Sequence, residues 1–214
     1  LAAELNKKAK IKEKHMQSTP IAFAPFNALA DADCQERIRV ARARLGNKAV
    51  ILCHHYQSDD IIAYADFIGD SLELARKASR IGRAEHVVFC GVYFMAETAA
   101  ILCAPDQTVI QPVIEALCPM AEMASRRQVA SAYDALSGVW DKPIIPITYQ
   151  NSNADLKALV GEKGGAVCTS SNARRIFEWA FAQGGRILFT PDEHLGTNTA
   201  LDMGLAPSEL GLWN

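Results

Sequence analysis

The chain has no apolar run near the roughly 20 residues that a membrane-spanning helix requires, and none of its segments is one. Its opening, Lys7-Lys8-Ala9-Lys10-Ile11-Lys12-Glu13-Lys14, is basic but lacks the apolar stretch and small-residue cleavage site of a signal peptide. A net charge of −2 over 214 residues provides no basic field for nucleic acid. No G-x-G-x-x-G follows the first strand-like run and no Walker sequence occurs; Gly161-Glu162-Lys163-Gly164-Gly165 precedes a strand and reads as a tight turn. Ordinary dinucleotide binding is therefore not expected. No two cysteines are spaced Cys-x-x-Cys. What remains is a globular chain, 50% hydrophobic, with enough apolar residues for real cores, expected to be soluble and cytoplasmic. It starts at Leu1 and stops at Leu212-Trp213-Asn214 without a polar tail, and is expected to be cut from something longer.

The most informative feature is a join. Ala49-Val50-Ile51-Leu52 has the length and β-branched content of a buried parallel strand, and Cys53-His54-His55-Tyr56-Gln57-Ser58 follows it directly. Such a strand delivers its last side chains to the carboxyl edge of a sheet, where open α/β folds bind their ligands. The join recurs: Val87–Cys90 runs into Gly91-Val92-Tyr93, Ile144–Thr148 into Tyr149-Gln150-Asn151-Ser152, Ala166–Cys168 into Thr169-Ser170-Ser171-Asn172, and Ile187–Thr190 into Pro191-Asp192-Glu193-His194.

Periodicity predicts helices at 36–45, 59–67, 71–80, 93–103, 153–159, 172–182 and near 197–203, with 119–136 mainly helical. Strands are predicted at 48–53, 86–90, 107–111, 144–148, 165–168, 186–190 and 210–213. This alternation implies α/β architecture, with repeated three-layer αβα units around parallel sheets. The turn-rich Ser137–Pro143 resets the pattern, so we expect an N-terminal arm over 1–33, a first α/β domain over 34–125 and a second over 126–214, incomplete at its C-terminus. His55-Tyr56-Gln57-Ser58 against Thr148-Tyr149-Gln150-Asn151 hints at an internal duplication.

Two helix starts stand out. Asp70 as N-cap with Glu73 at N3 reads as a capping box, and Ser71 adds a hydroxyl beside unpaired N–H groups at a positive helix end, a setting for phosphate or carboxylate. Thr169-Ser170-Ser171-Asn172 offers the same alternatives of plain N-capping or anion contact. Among the cysteines, Cys53, Cys90, Cys103 and Cys168 read as core, whereas Cys118, in Leu117-Cys118-Pro119-Met120-Ala121, falls in a loop and is open to either a ligand or a packing role. His54 and Tyr56 share a face by i,i+2 alternation, which sends His55 the other way, toward a structural role. His194 receives no role.

Together and in order, Cys53-His54-His55-Tyr56-Gln57, Ala65–Leu72, Phe89–Ala99, Cys118-Pro119-Met120-Ala121, Thr148–Ser152, Thr169–Ala173 and Pro191–Gly196 closely resemble the quinolinate synthases, over roughly residues 34–214. The resemblance implies two of three pseudo-symmetric αβα domains. It also implies a reaction: condensation of iminoaspartate with dihydroxyacetone phosphate, with loss of phosphate and water, at a [4Fe–4S] cluster held by three cysteines. By resemblance, Cys118 is a cluster ligand, His54 and Tyr56 transfer protons and orient substrate, and Asp70, Ser71, Tyr149, Asn151 and Ser170 join His54 in binding it. An aspartate-oxidising enzyme supplying iminoaspartate is the implied partner, with neither nucleic acid nor membrane involved. The other two ligands would lie beyond Asn214, so the chain is expected to hold no intact cluster and to have little activity alone. Thr197 stands where the pattern often has arginine. The alternatives are a cluster-free α/β binding module for a small dicarboxylate or phosphate, and a fragment without retained function.

Overall fold

The computed structural model describes residues 22–82 and 84–213. Most of the expected N-terminal arm therefore lies outside the described residues. The chain forms two compact units, one of residues 1–91 with 98–114 and one of 92–97 with 115–214.

The first unit begins with α1, Asp31–Leu45, which starts five residues before the expected position. Its first turn carries Asp31 and Asp33 and its last carries Arg42 and Arg44, charges that complement the helix dipole where no side chain caps Ala30. Strands β1 (Ala49–His54), β2 (Phe67–Gly69), β3 (His86–Cys90) and β4 (Thr108–Ile110) form a parallel sheet in the order β2-β1-β3-β4. Helices α2 (Asp59–Ile62), α3 (Ser71–Ala78) and α4 (Tyr93–Leu102) connect them. In α3, Leu74, Ala75 and Ala78 fall on one face and are buried. In the sheet Leu52, Val87 and Phe89 are fully buried.

The sequence expectation of one helix over 59–67 fails here. The helix stops after Ile62, and Asp66 takes over: its backbone N–H donates to Ile51 O (2.9 Å), and its Oδ2 accepts the Ile51 N–H (2.8 Å). Arg42 holds the other carboxylate oxygen at 2.6 Å. This clasp lays Phe67–Gly69 along β1 as an edge strand, an override of local periodicity by a long-range ladder.

The second unit holds β5 (Ile144–Tyr149), β6 (Ala166–Cys168) and β7 (Arg186–Thr190), parallel and in the order β6-β5-β7. Its helices are α5 (Arg126–Ser137), α6 (Ala154–Glu162), α7 (Ala173–Ala182) and α8 (His194–Asp202). Two cores confirm three layers. Ile145 and Ile147 of β5 pack with Phe177 and Ala180 of α7 and Ala200 of α8, whereas Val129 of α5 and Leu156, Leu159 and Val160 of α6 gather on Leu188. The region 119–136 is helical only from Arg126. Before it, turns close Glu122 and Met123 onto Cys118, Pro119 and Met120, and Ser125 with Gln128 forms a capping box that fixes the helix start.

The strand expected at 210–213 does not form. Pro207–Glu209 make a 3₁₀ turn, Leu210 alone of the following residues packs on the core, and Leu212 and Trp213 stay exposed. Gly211 has no side chain to bury, which leaves too little apolar contact to hold an edge ladder.

Pro146 lies inside the central strand, where a missing N–H normally breaks a ladder. Pairing with β6 begins one residue later, at Ile147 opposite Ala166. Gly165, just before that pair, lies so close that an added Cβ would come within 1.9 Å of Pro146 O. Gly165→Ala should therefore destabilise the second unit by about 3 kcal/mol. Gly161→Ala, in α6 with nothing within 4 Å of its added Cβ, should instead stabilise by roughly 0.5–1 kcal/mol. Thermal denaturation of the two variants checks both signs.

Candidate functional site

In both sheets the earliest strand is internal, with its successor on one side and the next strand on the other. That order creates a switch point, between β1 and β3 in the first unit and between β5 and β7 in the second, and open α/β sheets bind ligands at the carboxyl ends beside such points. The registers match as well. His54 pairs with Gly69, the last residue of β2, and Tyr149 pairs with Cys168, the last residue of β6. Cys53 pairs with Cys90 as Thr148 pairs with Thr190. The next N–H groups repeat the pattern, His55 donating to Gly69 O (3.2 Å) and Gln150 to Cys168 O (2.8 Å). Hence His54, Tyr56 and Ser71 occupy the positions in the first unit that Tyr149, Asn151 and Ser170 occupy in the second. The two units share this topology and register, offset two residues from the tyrosine-on-tyrosine match.

In the first unit His54, His55 and Tyr56 form one aromatic cluster. The His54 and His55 rings stack at 4.5 Å, and Tyr56 sits edge-on to both, at 4.8 Å from His54 and 4.2 Å from His55. Strand alternation does not separate them, because β1 ends at His54 and the chain turns, Gln57 N–H donating to His54 O at 3.0 Å. His55 is pinned through its ring, with Nδ1 3.1 Å from Gly69 O, which fits a structural role. Burial lowers the pKa of His54, the neighbouring His55 adds to this, and Asp70 opposes it. The imidazole is thereby held neutral near pH 7. Tyr56 is 83% exposed, so its phenol is open to any ligand. Asp70 caps α3, its Oδ1 accepting the Glu73 N–H at 2.8 Å, which puts Ser71 at the first helical position beside the unpaired N–H groups.

In the second unit Cys118, Tyr149, Asn151 and Ser170 come together. The Asn151 side-chain N–H points to Cys118 Sγ at 3.9 Å. Burial raises the pKa of Tyr149; a hydrogen bond from Ser170 opposes this, and Cys168, Asp192 and Cys118 add to it. The phenol stays protonated and can donate. Below it, Thr148 and Ser152 are fully buried and bonded to each other at 3.0 Å, with Ser152 Oγ donating to Tyr149 O at 2.8 Å, so the turn that carries Asn151 is fixed from beneath. Ser170 does not start a helix as Ser71 does. Asn172 Oδ1 accepts the Thr169 N–H (2.7 Å), Asn172 N–H closes on Thr169 O (3.1 Å), and α7 begins only at Ala173.

Asp192, read in the sequence only as part of a motif, belongs to this group. Its Oδ1 accepts the Leu195 N–H at 3.0 Å, and its charge acts on Tyr149. A carboxylate just past a strand end was the available signal. His194 is exposed on α8, 3.8 Å from its neighbour Glu193, and Thr197 lies on the same helix in a shallow groove with Asn198, Leu201 and Leu212.

All six cysteines are free. Cys53, Cys103 and Cys168 are buried, and burial pushes the thiol pKa up at Cys53, to about 11 at Cys90 and to about 12 at Cys168. Cys34, Cys90 and Cys118 are partly exposed, and of these Cys118 is the one carried on a loop after a strand end. Among the described residues no three His, Cys, Asp or Glu side chains group to hold a metal ion. A cysteine on an accessible loop has the chemistry of a possible metal donor. No described helix is long and apolar enough to cross a membrane.

The chain resembles known proteins over most of its length. It is 50% identical over 190 residues to quinolinate synthase of Corynebacterium glutamicum, covering 88% of this chain and 48% of the relative. It is 45% identical over 198 residues to quinolinate synthase of Bacillus subtilis, covering 92% and 54%. For quinolinate synthase of Streptomyces coelicolor the identity is 48% over 188 residues, covering 86% and 48%. The chain thus spans about half the length of the curated relatives it matches. A family model described as NadA, quinolinate synthetase A protein, matches residues 36–214, and with these relatives it establishes that the chain belongs to the quinolinate synthetase A family.

Proposed function

We propose that the chain supplies the first two α/β domains of a quinolinate synthase, a cytoplasmic enzyme that condenses iminoaspartate with dihydroxyacetone phosphate and releases phosphate and water. The observation that carries this reading is the meeting of Cys118 with Asn151 and Tyr149. The one residue that the family resemblance assigns to metal receives the amide of Asn151 and acts electrostatically on Tyr149, two residues that it assigns to substrate. A cluster-free binding module would surround Cys118 with a dry apolar wall; here the Asn151 amide reaches its sulfur.

In this reading Cys118 is one of three thiolates that hold a [4Fe–4S] cluster, the others coming from outside these residues. When bound, the cluster supplies an iron with an open position that acts as a Lewis acid. The rest falls to side chains. Neutral His54 takes a proton from a substrate carbon or nitrogen, and Tyr56, within the same ring cluster, orients the substrate and returns a proton. Ser71 and the unpaired N–H groups of α3 receive an anionic group, phosphate or carboxylate, with Asp70 fixing the helix start. Tyr149, protonated, donates to a substrate oxygen, and Asn151 and Ser170 complete the contacts. An aspartate-oxidising enzyme is the source of iminoaspartate, which hydrolyses readily in water.

Three measurements bear on this reading. Under native conditions alkylation should modify Cys118 faster than Cys53, Cys90, Cys103 or Cys168, as read by peptide mapping, because Cys53, Cys103 and Cys168 are buried and the raised pKa of Cys90 keeps it protonated. Equal rates would remove the distinction on which the ligand assignment rests. In a full-length anaerobic protein Cys118→Ser should abolish the visible absorption of the cluster without lowering Tm; a normal cluster would rule Cys118 out as a ligand. Tyr56→Phe in the same protein should lower kcat by about 10²-fold with the fold unchanged, since its ring is exposed and its hydroxyl is not needed for packing. Unchanged turnover would take Tyr56 out of the mechanism.

A further inference from the structure

The start of α6 is built unusually. Asn153 stands at its N-cap with the extended backbone of a capping residue, yet its side chain makes no capping bond. Asparagine is among the best capping residues, and its carbonyl would ordinarily accept an N–H of the first turn. Here the side chain is turned away, and its Nδ2 donates to Glu122 Oε1 at 3.0 Å. Glu122 belongs to the Cys118 loop, and its own N–H closes a turn onto Cys118 O at 3.3 Å. The N–H of Leu156, which a capping Asn153 would ordinarily take, goes to Asp155 Oδ1 at 2.7 Å, and the first N–H of the helix, that of Ala154, donates to Glu97 Oε2 at 3.0 Å, a carboxylate brought in by the first turns of α4. Tyr93, one turn earlier on α4, donates its N–H to Ala116 O at 2.8 Å, two residues before Cys118.

The duties have been exchanged. Two carboxylates, Asp155 and the remote Glu97, take first-turn N–H groups of the helix, and the residue at the capping position ties down the cysteine loop instead. We propose that Asn153 is a positioning residue for Cys118: through Glu122 it holds the loop that sets Cys118 beside Asn151, and Asp155 and Glu97 free it to do so by taking first-turn N–H groups of α6. Its link to function rests on the reading of Cys118 as a ligand, but the clamp itself does not.

The test separates stability from loop position. Asn153→Asp keeps a strong capping side chain but loses the donor and faces Glu122 with a like charge. In the 214-residue chain we expect Tm to hold or rise while alkylation of Cys118 becomes roughly five- to tenfold faster, with Cys53 and Cys168 unchanged. Adding Glu122→Gln swaps donor and acceptor, the new carboxamide donating to the carboxylate introduced opposite it, and should return the Cys118 rate to within about twofold of the parent. An unchanged Cys118 rate in Asn153→Asp would overturn the proposal, as would a fall in Tm with faster labelling of every cysteine. In a full-length protein reconstituted with iron and sulfide, iron per chain should fall in Asn153→Asp and recover in the double variant. If the alkylation rates move as stated and iron does not, the clamp stands and the ligand reading of Cys118 fails.

Discussion

Each unit depends on one strand hydrogen-bonded along both edges, and in the second unit that strand is also buried along nearly its whole length. β1 and β5 cannot place polar side chains along most of their length, because every position is committed to a ladder or a core. Polar groups are allowed only where the ladders stop. At that level the flanking strands also end, and the turns after them meet side by side. The sites at His54–Tyr56 and Tyr149–Asn151 are therefore consequences of where pairing ends.

That logic explains why much of the fold could be read in advance. Apolar runs such as Val87–Phe89 and Ile144–Ile147 have no plausible place outside a core, and the strands stand where those runs predict. The failures share one cause. Phe67–Gly69 is a strand because Asp66 clasps Ile51 and Arg42, partners 15 and 24 residues away that no local window contains. The run at 210–213 fails in the opposite sense, with the composition of a strand and no partner to hold it. Residues 119–125 have helical composition, but Ser125 and Gln128 set the start of α5 beyond them.

The candidate site was legible to the same depth. Strand-end position singled out His54, Tyr56, Tyr149 and Asn151, and the capping signal singled out Asp70 and Ser71. Alternation misled at His55, since the period of two lasts only as long as the strand. Contacts across long separations were invisible: Asn151 with Cys118, Asn153 with Glu122, and Glu97 with Ala154 each join segments more than thirty residues apart. Asp192 was present in a motif, yet its action on Tyr149 depends on the side-by-side order of β5 and β7.

Pro146 has a further effect on the second unit. If β6 slid two residues toward the amino end of β5, alternation would be preserved and the core would register little change. Such a slip is otherwise the easiest error for a three-residue strand to make. With Pro146 in place, the slipped strand would present an acceptor to a position that has no hydrogen to give, and its own backbone would press on a carbonyl that only glycine now tolerates. The proline thus acts as a stop that admits one alignment, and the alignment it admits keeps Cys168 opposite Tyr149 and the turns beyond them level.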